Sequence, residues 1–261
     1  VKRLDDAGGN SMVWDHHGFQ LRPLPILIVL GMGVGLHLIS QVSLEIFEHF
    51  VRLPERPEMP WIADWYGHVA LLGFTLLTIG ILQASRPGDY GLRLPEGPSL
   101  VGQAVLAGLG LGILVTAIDY APQLFSLRPP SDRPYPLTPL NVTGWLTFAG
   151  VFAAPTEELL YRGLMLTWLA DAMPGRVTIR GVSLSGAGLV VAGLFALADV
   201  DKFLREPFVC AVGHLVIMFA LGALCATWLE RSKSLLAPAL GHAVFAVTTY
   251  ALIFAMVAGF R

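Results

Sequence analysis

Charged residues are scarce in this chain. They occupy 14% of its 261 positions, against about 25% in an average soluble domain. So few charges cannot clothe a water-soluble surface, so a soluble enzyme and a disordered protein are both excluded. Cysteine is nearly absent as well. Cys210 and Cys225 stand 15 residues apart in one apolar block, roughly 22 Å along a helix and beyond disulfide reach, so a disulfide scaffold is excluded and both read as small core residues. The formal net charge of −2 leaves no basic footprint, and nucleic acid is excluded as a partner. Two glycine clusters, GMGVG (31–35) and GLGLG (108–112), do not complete G-x-G-x-x-G, so no phosphate loop is expected. Their Gly-x-x-x-Gly spacing suits close helix packing in lipid. No internal repeat is visible, which argues against a small transporter using Glu157 and Asp199 as a proton relay. The first 23 residues are polar. No cleavable signal peptide is expected there, and the first apolar stretch reads as a retained span.

What the chain has in quantity is apolar sequence, 54% of all residues. It falls into seven blocks, at 25–47, 62–84, 100–118, 142–170, 182–198, 207–229 and 234–259. Blocks of about 20 apolar residues predict membrane-spanning helices. The expected fold class is all-α, a polytopic membrane bundle of about seven to eight transmembrane helices. A polar N-terminal tail (1–24) precedes a single transmembrane domain (25–261). Turn-rich joints such as LPERPEMP (53–60) and LRPPSDRPYPLTP (127–139) separate the spans. The fourth block is long enough for one tilted helix or for a span followed by a second helix, with Pro155 predicted to kink or break it. Lys and Arg divide almost evenly between the two sides, so the pattern leaves the orientation open.

The stretch AAPTEELLYRGLMLTWL (153–169) sets Glu157, Glu158 and Arg162 inside an apolar block. Each charge at mid-bilayer costs about 2.5–3.5 kcal/mol, so these side chains must be paired and turned into the protein or a wet cavity. Glu158 and Arg162 lie at i, i+4 with the acid first, the favourable order for an ion pair. Glu157 is left without a local cation, with Tyr161 one turn on along the same face. A carboxyl so placed suits a general base. Asp199 ends the apolar run GLFALADVDKF (193–203), and His242 lies in LLAPALGHAVFAV (235–247). Among the other histidines, His214 is placed behind His242 as a functional candidate, and His37 and His68 behind both. Asn141-Val142-Thr143 matches a glycosylation sequon but abuts a span.

Together these pieces resemble the CPBP family of intramembrane proteases, also called the CAAX prenyl protease or Abi family. The first family motif, Glu-Glu-x-x-x-Arg, is complete as Glu157-Glu158-Leu-Leu-Tyr-Arg162. The second, Phe-x-x-x-His, is matched by Phe195 and Asp199. The third, His followed four residues later by Asn or another small residue, is matched by His242 and Ala246. The similarity covers about 141–250, which would be the protease-like core. The resemblance implies that Glu157 activates a water, that Glu158 and Arg162 orient the motif, and that His242 stabilises an oxyanion. It implies either metal-free catalysis or use of a divalent metal such as zinc.

This chain departs from the pattern at Asp199, where the family has His, and at Ala246, where it usually has Asn. Asp199 could accept a hydrogen bond from water or share a proton with Glu157 as an acid dyad, and His214 is a candidate to fill the gap. Ala246 offers no oxyanion donor. The expected function is an endopeptidase acting on a membrane-associated peptide or prenylated protein. The alternative is a catalytically inactive relative that serves as an assembly subunit of a membrane complex. The partners expected are the lipid bilayer and either such a substrate or partner subunits. The expected location is multi-pass in a bacterial-type plasma membrane.

Overall fold

A backbone in lipid must satisfy its own hydrogen bonds, and apolar blocks of this length do so as helices. The structure is a computed structural model that describes residues 14–16, 19–51, 59, 61–85, 87–96, 99–126, 137–179 and 182–259. Most of the polar tail and much of the joints at 53–60 and 127–139 lie outside the described residues. Each of the seven blocks carries a helix: α1 (Pro23–Val51), α2 (Trp61–Ser85), α3 (Val101–Asp119), α4 (139–172), α5 (Gly186–Leu197), α6 (Phe208–Ser232) and α7 (Leu236–Gly259). Five of these helices, α1, α2, α3, α6 and α7, are long and apolar enough to cross a membrane. Large apolar side chains such as Leu27, Ile81 and Leu106 stand exposed on the outer faces. In water such surfaces would drive aggregation; in a bilayer they face lipid. The chain is an all-α, multi-pass membrane protein.

Two expectations need correction. The block at 182–198 is not one span. Val182–Ser185 pairs antiparallel with Arg176–Ile179 as a small β-ribbon, and only Gly186–Leu197 is helical. Twelve residues rise about 18 Å, short of a ~30 Å hydrocarbon core. Ser185 ends the ribbon and starts the helix, its hydroxyl accepting from the Gly188 amide at 2.8 Å, the N-cap role of serine. The second is the break expected as one outcome at Pro155, which is absent. The helical backbone runs without a break from Pro139 to Ala172, through π-helical stretches at Phe148–Ala153 and Leu159–Leu166. Proline lacks an amide hydrogen and its ring clashes with the carbonyl four residues back. A wider turn relieves both conflicts, and the Ala154 amide bonds to the Ala149 carbonyl five residues back.

Helix α4 is the central rod, touched by α1, α2, α5, α6 and α7. Thr138 caps its start by accepting from the Asn141 amide at 3.2 Å, and Pro139 occupies the first turn. Asn141 is fully buried, so the sequon it heads is not open to modification in this fold. Helices α3 and α7 pack closely through the second glycine cluster. A Cβ at Gly108 would strike the Gly241 carbonyl oxygen, and one at Gly112 would lie 2.8 Å from the Phe245 oxygen. Gly31 and Gly35 of the first cluster meet nothing within 4 Å, so the packing expected of that pair is absent among the described residues.

Gly108→Val should therefore lower stability by at least the ~1–3 kcal/mol typical of overpacking, because backbone must move. Gly31→Val should change it little. Thermal unfolding of both variants in detergent checks this, and equal melting temperatures would contradict the α3–α7 contact.

Candidate active site

Glu157 and Glu158 lie in the short α-helical piece Ala154–Glu158, between the two π stretches of α4. Interruptions of this kind are rare and cluster at functional sites. The two carboxylates point to different surroundings. Glu158 and Arg162 are both fully buried, and Arg162 Nη1 donates to Glu158 Oε1 at 2.9 Å. The i, i+4 pair expected from the sequence is present. Around it the bundle is built to hold a guanidinium. The Phe195 ring lies 4.4 Å from Arg162 Cζ, a cation–π distance. Gly222 on α6 leaves the room: a Cβ there would be 3.1 Å from Arg162 Nη2. The phenylalanine that opens the second motif is thus the lid of the ion pair.

His242 enters from α7. Its Nδ1 lies 2.9 Å from Glu158 Oε1. Since that oxygen also accepts from Arg162, the ring donates at Nδ1. This fixes the imidazole and turns Nε2 toward Glu157, 3.9 Å from its Oε2. Phe195 holds the ring from the side, edge to face at 5.4 Å. Glu158 therefore serves two cations or donors at once. Glu157, Glu158, Arg162 and His242 come together at one place.

Glu157 itself faces a cavity of about 250 Å³ between α1, α2, α4 and the end of α5. His37, Ser40, Asp64, His68, Tyr161 and Asp199 share its lining. The local partner that the sequence did not provide comes from α2. His68 Nε2 lies 3.3 Å from Glu157 Oε1, and its Nδ1 lies 2.9 Å from the Asp64 carbonyl oxygen. Phe148 packs against the His68 ring at 4.9 Å. Sequence alone does not single out His68, because a lone histidine in an apolar helix is more often structural. The available signal was its cost at membrane depth, which demands a partner.

Asp199 reaches the same cavity but is engaged elsewhere. Its Oδ2 lies 3.2 Å from His214 Nε2. The other face of that ring meets Asp119, with Nδ1 2.9 Å from Oδ2, and Lys202 Nζ closes the group at 2.8 Å from the same Asp119 oxygen. The acid dyad expected of Glu157 and Asp199 gives way to two separate carboxylate–imidazole contacts. The reason is electrostatic: two carboxylates at one low-dielectric cavity are each better served by a nearby imidazole than by one another. His214, the candidate to fill the gap in the second motif, binds Asp119 and Asp199. Ala246 is half-buried against the core of α3 and α6 and offers no donor. Among the described residues no three His, Cys, Asp or Glu side chains are grouped to hold a metal ion. Nδ1 of His68 and of His242 face oxygen acceptors, and Nε2 of each ring is turned toward Glu157.

Glu158→Ala should destabilise the fold more than Glu157→Ala. It strands the buried Arg162 guanidinium and the His242 Nδ1 donor together, and breaking a buried pair typically costs about 3–5 kcal/mol. Glu157 is partly exposed to the cavity, so its loss should cost less. Melts of the two variants in one detergent measure the order, and the reverse order would refute the pairing.

No curated protein and no solved structure matches the chain. A family match does exist, and it falls on the elements that carry the site. Residues 139–248 match the family described as Type II CAAX prenyl endopeptidase Rce1-like. This range includes Glu157, Glu158, Arg162, Phe195, Asp199 and His242, and it excludes His68. The stretch from the start of α4 into α7 is thus similar to the Type II CAAX prenyl endopeptidase Rce1-like family.

Proposed function

We propose that this protein is an intramembrane endopeptidase that cleaves a membrane-associated or prenylated peptide with water activated by Glu157. The observation that carries the reading is the position of the Glu157 carboxylate. It lines a cavity while the neighbouring glutamate is walled into an ion pair, so one acid can do chemistry and the other holds it in place. A water beside Glu157 Oε2 would lie within reach of His242 Nε2 as well, since the two atoms are 3.9 Å apart.

The reaction follows from these positions. Glu157 takes a proton from the water as its oxygen bonds to the scissile carbonyl carbon. The charge that develops on the carbonyl oxygen falls near His242 Nε2, which stabilises it when that nitrogen carries a proton. Collapse of the tetrahedral species breaks the C–N bond, and the proton held by Glu157 leaves with the amine. Glu158 and Arg162 keep both Glu157 and His242 at the required places. Loss of a single oxyanion donor commonly costs 10²–10³ in rate, so with Ala246 in the third motif turnover should be slow.

Release of fluorescence from an internally quenched prenylated peptide by the full chain in nanodiscs tests this. Glu157→Gln should lose about 10²–10⁴-fold in rate while keeping the wild-type melting temperature within a few degrees. Treatment with a strong chelator should leave the rate unchanged, and loss of activity that zinc restores would overturn the metal-free route. Equal, negligible turnover in wild type and Glu157→Gln would remove the protease reading and leave an assembly subunit of a membrane complex in its place.

A further inference from the structure

We propose that His68 on α2, outside the family-matched segment, is the positioning residue that shares a proton with Glu157 and aims its carboxylate into the cavity. The inference rests on the endopeptidase reading for its catalytic consequence, and on geometry alone for the pairing.

The argument begins with donors and acceptors. His68 Nδ1 faces a backbone carbonyl, which can only accept, so Nδ1 carries a hydrogen. Nε2 faces a carboxylate oxygen at 3.3 Å. A neutral ring with its hydrogen at Nδ1 would set a bare nitrogen against a bare carboxylate. The contact is satisfied in two ways: the ring is an imidazolium donating to Glu157, or Glu157 is protonated and donates to the ring. Both contain one proton more than a neutral imidazole beside a carboxylate.

The ring is also held in place. Phe148 packs edge to face on it, and the bond to Asp64 fixes its rotation. The other titratable groups facing this cavity are His37 from α1, Asp64 from α2, Tyr161 from α4, and Asp199 at the end of α5. Asp199 is held by His214. Of the two imidazoles beside Glu157, His68 is the nearer, since His242 Nε2 lies 3.9 Å away. With Oε1 engaged by His68, Oε2 is the oxygen left toward His242 and the reacting water. During turnover His68 keeps its hydrogen bonds. Glu157 accepts the proton of the water and returns it to the amine, so no net proton is lost or gained.

Two measurements test the pairing and its consequence separately. The first uses ring-¹⁵N-histidine-labelled full chain in nanodiscs, with the His68 resonances assigned by their disappearance in His68→Gln. At neutral pH the His68 Nε2 signal should show a shared or bound proton in wild type and revert to a neutral single tautomer in Glu157→Gln. An unchanged His68 spectrum in Glu157→Gln overturns the proposal. This arm needs neither turnover nor a folded His68 variant other than for assignment, and assignment can also come from Gly67–His68 labelling by residue pair. The second is the peptide-release assay. His68→Gln should lower kcat by about 10–100-fold, the scale of a weakened acid–base group, with KM held within about threefold. Wild-type kcat in a folded His68→Gln protein overturns the catalytic consequence. If the wild-type chain releases no peptide, the endopeptidase reading fails, and the spectroscopic arm still decides whether His68 and Glu157 share a proton.

Discussion

The buried contact between Glu158 and Arg162 is the constraint on which the rest of the bundle is arranged. A guanidinium with no exposed surface has to be given a counter-ion, a π face and a space with no side chain in the way. The chain supplies these from three separate elements: Glu158 one turn earlier on α4, Phe195 on α5, and Gly222 on α6. His242 on α7 then completes the coordination of Glu158. Helices far apart in sequence are thus tied together by hydrogen bonds and charge in a medium where burial of apolar surface supplies little drive for association. The arrangement costs desolvation, and its return is a single register for four helices.

That register separates two adjacent carboxylates that are chemically identical. Neighbours on a helix point about 100° apart, so fixing Glu158 inward turns Glu157 out of the ion pair and into the cavity. Environment then assigns the roles. One acid is enclosed by a guanidinium and an imidazole, and the other meets space and a second imidazole. The same logic recurs at the far side of the cavity, where His214 lies between Asp119 and Asp199 and Lys202 completes the charge balance. The charged groups of both clusters each meet a partner of complementary character, as a low-dielectric interior demands.

Much of this was legible from residue order. Each of the seven apolar blocks carries a helix, and five of these helices are long and apolar enough to span a membrane, because length and hydropathy alone define a span. Glu158 and Arg162 could be paired on paper, since i, i+4 geometry is local. The start of the fifth block was misassigned because hydropathy averages hide alternation: Val182-Ser183-Leu184-Ser185 has the two-residue period of a strand. The contact between His68 and Glu157 was hidden by its span of 89 residues. No local spacing rule joins α2 to α4, and a histidine in an apolar helix carries no mark of which partner satisfies it. The position of Asp199 was legible, but its partner was not, because His214 sits on another helix and Asp119 on a third.

The short helix α5 has a bearing on how water gets in. His214, which Asp199 contacts, is the seventh residue of α6, about 9 Å along the axis from Phe208. The turn after Leu197 consequently lies below the end of its longer neighbour, with peptide groups at a depth where hydrocarbon could not solvate them. Non-helical backbone survives there only when enclosed by protein or bathed by solvent. Set in a bilayer, a truncated helix would indent the lipid boundary beside the carboxylates, and the same indentation would give a hydrolytic reagent a short path from the aqueous phase.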